Sequence, residues 1–573
     1  MTPAAKHEID LAHPEDMAPA VDAILGANPF VALSPRETLR TLGQFIANLA
    51  AHPERFSSRF SDLTFELMRV ATGTSEIAPE DNDRRFSDPA FSENPFYRRL
   101  MQTYLAWRAA MHDLVGLAAA TADGEDWKAP AQERFAVTLL TEALAPTNLL
   151  PGNPAALKRI FDTAGTSLIF GIRNFLVDLV TNNGMPAQVD KRPFEVGRTI
   201  AATPGAVVHR GALCEVIQYR PATAQVYERP VLLVPPQINK YYVMDMAPKR
   251  SFTEYAVNRG LQFFTVSWRN PGPQDRDLGL DDYVAACEEA AAIAAEITGG
   301  PDVNLAAVCA GGITSSLMLG HLAARGDKRI NAATLIVTML DSSEPSLTGM
   351  FANEETVRAA VEASRVKGVL DAASLQRTFA WLRPNDLVWN YWVNNYLMGK
   401  DPAAFDILYW NADSTNLPAR LHAGFLEILL RNPLVEADAA KILETPIDLR
   451  RFTGDLYVLA GLTDHICAWR AGHRAARLFG GDTEFVVSAS GHVQSLVSPP
   501  SNFKAKYFTN PRLGDDPDHW LKGAAEHKGT WWDNWLDWIE KRSGAKRPAP
   551  ANLGGGRYAP IEPAPGKYVR GRP

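Results

Sequence analysis

The chain has 573 residues, 46% apolar and 21% charged, an ordinary globular composition too long for one small core, so two domains are expected. A net charge of −7 excludes a protein built around a dominant basic face, and with it a primary role on nucleic acid. Four cysteines (Cys214, Cys287, Cys309 and Cys467) form no C-x-x-C pair and no metal-ligand spacing, a pattern that fits a reducing compartment and excludes a disulfide framework and a metal centre as expectations.

The N-terminus, MTPAAKHEIDLAHPEDM, is polar and acidic rather than signal-like, and no apolar run reaches the ~18 residues that span a bilayer; a cytoplasmic protein without a transmembrane segment is the expectation. Residues 1–200 read as a helical domain. A first helix opens at Ser34, with Pro35 at its first position and Glu37 closing a capping box. NPFYRRLMQTYLAWRAAMHDLVGLAAA and NPAALKRIFDTAGTSLIFGIRNFLVDLV repeat apolar residues three and four apart, and NNGMP (182–186) stops the pattern.

From residue 201 the period changes. CEVIQYRP, RPVLLVPP and LQFFTVSW read as strands, then DDYVAACEEAAAIAAEITGG as a helix closed by glycines. VNLAAVC is a strand ending at Cys309, GITSSLMLGHLAARGD the helix behind it and NAATLIVTML the next strand. Residues 342–445, aromatic and helical, interrupt the alternation as an insertion. DLYVLAG, WRAGHRAARLFGG and EFVVSAS resume it, TWWDNWLDWIEKRSG reads as a last amphipathic helix, and a Pro- and Gly-rich extended tail follows. Strands alternating with helices predict an α/β fold with a mostly parallel sheet over 201–573.

The stretch Ala307-Val308-Cys309-Ala310-Gly311 lies between a strand and a helix. That is the setting of a nucleophile elbow, where small neighbours let strand and helix approach and lift the nucleophile above the sheet. On such a fold the acid and the histidine follow in that order at later strand ends. Asp464 comes just past DLYVLAG and His492 just past EFVVSAS. A thiolate nucleophile, an imidazole to take its proton and a carboxylate to orient the imidazole make a working set. The backbone N–H of Ala310, with that of Ile238 in the loop VPPQINKYY, is the candidate oxyanion hole.

These residues, with RRFSDPAFSENPFYRRLMQTYLAWR, FEVGR, LLVPPQINKYYVMDMAP, VSWRNP, RPNDLVWNYWVNNYL, FDILYWNADSTNLP, GLTDHI and SGHVQSLVSPP, span nearly the whole chain. Through them the sequence resembles the polyhydroxyalkanoate synthases, single-subunit type. PPQINK and GGITSSLMLGHLAA are most similar to the medium-chain subgroup; the short-chain subgroup commonly has Cys where Gln237 stands. The resemblance implies an α/β-hydrolase fold with a lid. It implies polymerisation of (R)-3-hydroxyacyl-CoA with release of CoA through a thioester on Cys309, with Asp464 and His492 as the other catalytic residues. It further implies a homodimer working on a growing polyester chain at the granule surface. No cofactor is implied, since CoA is part of the substrate and a product. Two departures stand out: Ala307 replaces the usual Gly of the box, and Cys467-Ala468 replaces the Thr- or Val-Pro usual after Asp-His-Ile. The competing readings are an intracellular polyester depolymerase or a dienelactone-hydrolase-like thiol hydrolase on the same fold, and a non-catalytic granule-coating protein.

Overall fold

The computed structural model describes residues 43, 53–81, 83–119, 128–182, 184–345, 347–350, 352–375, 384–464 and 466–572. The Ser34 cap lies outside them. The chain forms two compact units, residues 32–190 with 377–403, and residues 191–376 with 404–573.

The first unit is helical: α1 (Pro53–Thr72), α2 (Pro95–Ala119), α3 (Lys128–Ala143), α4 (Pro154–Asp162) and α5 (Thr166–Thr181). Phe86, Phe91, Met101, Tyr104 and Leu105 close its core. Arg85 ties that core together, pairing with Asp83 at 2.7 Å and with the buried Glu142. Asn153 caps α4, its Oδ1 accepting from Ala156 N at 2.9 Å, and Pro154 takes the first turn, where a missing N–H costs nothing. The segment 153–180, which reads as helical, is broken at Ala164 (φ 49°) and Gly165 (φ 83°), and α4 and α5 diverge by 115°. Among the described residues no single helix is long and apolar enough to cross a membrane; only this bent pair passes by composition.

The insertion expected over 342–445 is divided between the units: residues 377–403 belong with the helices, whereas 342–376 and 404–445 belong with the sheet. The reason is local packing. A Cβ on Gly171 of α5 would sit 1.9 Å from the Tyr396 carbonyl oxygen, so only glycine admits this approach. Phe175 then meets Trp392 and Tyr396 edge-on at 6.3 and 5.4 Å, and Asn174 donates to the carbonyls of Asn395 and Lys400.

The second unit is built on an eleven-stranded sheet. Its strands are β1 (Gly205–Arg210), β2 (Cys214–Tyr219), β3 (Val231–Val234), β4 (Phe263–Trp268), β5 (Val303–Val308), β6 (Ile330–Ile336), β7 (Asp455–Gly461), β8 (Thr483–Ser488), β9 (Lys506–Thr509), β10 (Ala525–Lys528) and β11 (Glu562–Pro563). The order across the sheet is β10-β9-β8-β7-β6-β5-β3-β4-β2-β1-β11. From β8 to β4 every pairing is parallel, and the outer pairings are antiparallel. The parallel centre comes from continuous apolar runs such as VLLV and VNLAAV, buried along their whole length, as strands covered on both faces must be.

Helices α6 (Leu280–Thr298), α7 (Ala310–Ala324), α9 (Trp469–Ala476), α10 (His492–Leu496) and α11 (Trp531–Glu540) cover this sheet, and α8 (Ala419–Arg431) packs against α6. The tryptophans of α11 are core residues, two of them with satisfied indoles: Trp535 Nε1 donates to Thr334 Oγ1 at 3.0 Å and Trp531 Nε1 to Ser495 O at 2.7 Å. The extended tail adds β11 beside β1. It is held by the buried Glu215, whose carboxylate accepts from Lys567 N and Tyr568 N at 3.1 and 3.0 Å and pairs with Arg210 at 2.6 Å.

Candidate active site

β5 delivers Val308 to the sheet's carboxyl edge, and the chain reverses at once into α7. The reversal is made by Cys309, at φ 51° and ψ −121°, with its N–H donating to Ile336 O at 2.9 Å. A non-glycine residue held at such angles costs about 1–3 kcal/mol, and strain of this kind gathers at functional positions. The turn closes only because the next residues are small. A Cβ on Gly311 would lie 2.5 Å from the Pro235 carbonyl oxygen, and one on Gly312 would lie 2.0 Å from Thr338 Oγ1. Ala307, where the family has glycine, sits in regular strand pairing with Val234 and Leu335, so its methyl group falls before the turn rather than in it.

Asp464 and His492 come from neighbouring parallel strands. Beyond the last rung of β7 and β8, Gly461 beside Ser488, Leu462 N donates to Ser488 O at 2.8 Å and Thr463 N to Ser490 O at 3.2 Å. This clamps the two strand ends together. Asp464 is buried: its Oδ2 accepts from His492 Nδ1 at 2.7 Å, and its Oδ1 accepts from the backbone N–H groups of Ile466 and Cys467, each at 2.9 Å. The ring of His492, also buried, keeps its other nitrogen for Cys309, to which it is hydrogen-bonded. The structure therefore brings Cys309, His492 and Asp464 into one chain of hydrogen bonds.

The electrostatics follow from the contacts. The Cys309 thiol is held well below its ordinary value, first by a hydrogen bond with Cys467 and then, against burial, by the charge and hydrogen bond of His492 and the Ala310 N–H. For His492, burial works against the charged form, but the carboxylate of Asp464 and the sulfur of Cys309 outweigh it and raise the imidazole well above its ordinary value. Both directions favour a thiolate beside an imidazolium. Cys309 itself is only partly buried, and it opens on a pocket of almost wholly apolar lining that includes Ile313, Leu340, Phe425 and Leu429.

Ala310 and Ile238, the two candidate oxyanion donors, line the same pocket as Cys309. The loop carrying Ile238 is fastened from several sides. Thr415 Oγ1 donates at 2.7 Å to the carbonyl oxygens of Gln237 and Ile238, and Trp410 Nε1 donates to Lys240 O at 2.7 Å. Lys240 Nζ and the hydroxyl of Tyr242 both reach the carboxylate of Asp413 at 2.8 Å. Sequence reasoning singled out neither this clamp nor the partnership of Cys467 with Cys309. The block FDILYWNADSTNLP carried the clamp residues without saying what they hold, and Cys467 stood out only as a departure after Asp-His-Ile.

Comparison with known proteins agrees with this geometry. Residues 82–256 match the family model described as poly-beta-hydroxybutyrate polymerase (PhaC) N-terminus, and residues 230–499 match the alpha/beta hydrolase fold. Poly(3-hydroxyalkanoate) polymerase 1 of Ectopseudomonas oleovorans is 44% identical over 96% of this chain and 98% of its own length, and polymerase 2 of that organism is 46% identical over 95% and 96%. The poly(3-hydroxyalkanoate) polymerase subunit PhaC of Cupriavidus necator is 38% identical over 92% of this chain and 89% of its own length. With an α/β-hydrolase sheet beneath the elbow and these relatives along nearly all of its length, the chain belongs to the poly(3-hydroxyalkanoate) polymerase family of acyltransferases.

Proposed function

We propose that this enzyme polymerises (R)-3-hydroxyacyl groups taken from their CoA thioesters, with the growing polyester held as a thioester on Cys309. The observation that carries the reading is the partly exposed Cys309 on a strained turn, hydrogen-bonded to His492 and opening on an apolar pocket.

In the first half-reaction the Cys309 thiolate attacks the thioester carbonyl carbon. The oxyanion is met by N–H groups of the Ala310 and Ile238 backbone. The bond to the CoA sulfur breaks and the departing thiolate takes the proton from the His492 imidazolium, so one thioester replaces another at little cost. In the second, the 3-hydroxyl of another hydroxyacyl unit attacks the Cys309 thioester. His492 receives the hydroxyl proton, the Cys309–acyl bond breaks and an oxoester is formed downhill, leaving the lengthened chain on the incoming unit's CoA thioester, from which the first half-reaction returns it to Cys309. A serine nucleophile would spend that driving force one step early. Asp464 fixes the tautomer of His492 throughout. Thiol, imidazole and carboxylate supply all the chemistry in this scheme; CoA is a leaving group and no cofactor takes part. The apolar pocket receives the acyl chain and keeps water from the thioester. The product is an insoluble polyester, which places the working enzyme, as a homodimer, at a granule surface.

The test is CoA release from (R)-3-hydroxyacyl-CoA with the products separated. Insoluble polymer in step with CoA is the expected result, with Cys309→Ala inactive and Cys309→Ser leaving a trace. Soluble hydroxy acid in place of polymer would make the enzyme a thiol hydrolase.

A further inference from the structure

Cys467 stands beside the nucleophile. Its N–H donates to Asp464 Oδ1 at 2.9 Å. A donor or acceptor atom of Cys467, one of Asp464 and one of His492 all lie within 4.8 Å of one another. Cys467 is buried and shares the pocket wall with Cys309, whose thiol it helps to hold below its ordinary value. The groups facing the Cys309 sulfur are thus the His492 ring, the Cys467 thiol and the Ala310 N–H, with Asp464 behind both His492 and Cys467.

We infer that Cys467 is a further catalytic residue of this centre, its S–H donating to the Cys309 sulfur and stabilising it as a thiolate, above all when it departs. The inference deepens the polymerase reading and rests on it for the departure step. In that reading the Cys309 sulfur attacks once and leaves once in every cycle. A hydrogen bond to the thiolate weakens it as a nucleophile only modestly, because nucleophilicity falls with roughly the 0.4–0.5 power of acidity, while it assists the sulfur as a leaving group. Cys467 keeps its own proton throughout: no bond to it forms or breaks, and the moving proton travels between His492 and the hydroxyl or the CoA sulfur. Burial and the neighbouring Cys309 thiolate both raise the Cys467 thiol well above its ordinary value, which keeps it a donor.

The direct test needs no acyl substrate. Alkylation of Cys309 by iodoacetamide, followed against pH by peptide mass spectrometry, reads the thiolate in the wild type, Cys467→Ala and Cys467→Ser. The expected result is an upward shift of the alkylation midpoint by about one pH unit or more in Cys467→Ala, the size of one hydrogen bond to a charged group. Cys467→Ser, which keeps a donor, should stay near the wild type. An unshifted midpoint in Cys467→Ala overturns the inference, and so does an equal shift in both variants, which would make the effect one of packing. In rapid-quench assays Cys467→Ala should slow polymer growth more than the first burst of CoA. A wild type that releases soluble acid would sink the polymerase reading while leaving the alkylation result standing.

Discussion

At the scale of single residues, Asp464 and His492 divide the work of ionising Cys309. The thiol lies below its ordinary value and the imidazole above, so each charge supports the other, and the charged pair is lost when pH falls through the lowered thiol value or rises through the raised imidazole value. Wild-type alkylation of Cys309 should therefore be flat around neutrality. In His492→Gln the cationic support is gone while the Cys467 donor remains, so the rate should climb with pH through a midpoint between the wild-type value and an ordinary thiol near ~8.5, leaving pH 7 acylation slower by about 4- to 30-fold. A flat profile in that variant would remove His492 as the base. Asp464→Asn should keep a measurable first burst of CoA but nearly stop steady turnover, because a thiol needs a perfectly oriented base less than an alcohol does. Rapid-quench traces in which burst and steady phases fall by the same factor would contradict this difference between the two half-reactions. The Cys, Asp and His positions were legible because each follows a strand pattern. Cys467 was not, because its role depends on a turn that folds it back onto Cys309, and nothing in a linear sequence measures that distance.

At the scale of elements, the elbow is a packing problem. In Gly312→Ala the new methyl would overlap Thr338 Oγ1. The expected cost is about 1–3 kcal/mol of stability, together with a displaced Cys309. Thr338→Ala on that background should restore part of it, and thermal melts of the two variants check this. Val337, at φ 44°, presents Thr338 to α7, so strain just past β6 and the absence of side chains at Gly311 and Gly312 form one device. The parallel centre of the sheet could be read from runs such as VLLV and VNLAAV, because an unbroken apolar run of strand length marks a strand buried on both faces. β1, β9 and β10 could not, since GAVVHR runs out into half-buried polar residues and KYFT and AEHK are outer strands without an apolar run. The helical period read over 153–180 holds in α4 and α5 but does not show the break at Ala164 and Gly165, where a left-handed turn interrupts it.

At the scale of the whole molecule, the tail is part of the sheet unit rather than an appendage. Besides adding β11, it supplies Gly571 O, which accepts from Lys240 Nζ at 2.9 Å, and so it supports the loop that carries Ile238. Removing residues 550–573 would leave Glu215 buried without two of its backbone donors. Losing partners of a buried charge costs about 1–3 kcal/mol, so the truncated enzyme should melt several degrees lower and turn over more slowly. An unchanged melting temperature would mean that the tail closes nothing. The Pro- and Gly-rich composition correctly suggested extended chain, but pairing with β1 depends on the distant Glu215 and Arg210, which composition does not register.

The central claim is that Cys309 carries the growing chain. It is tested most directly by acid-quenching the wild-type enzyme within its first turnovers on (R)-3-hydroxyacyl-CoA and mapping adducts by peptide mass spectrometry. The account predicts hydroxyacyl and oligomeric hydroxyacyl adducts on the Cys309 peptide, released by hydroxylamine and absent from Cys309→Ala. Polymer growth with Cys309 unmodified, or with the chain on another residue, would contradict it.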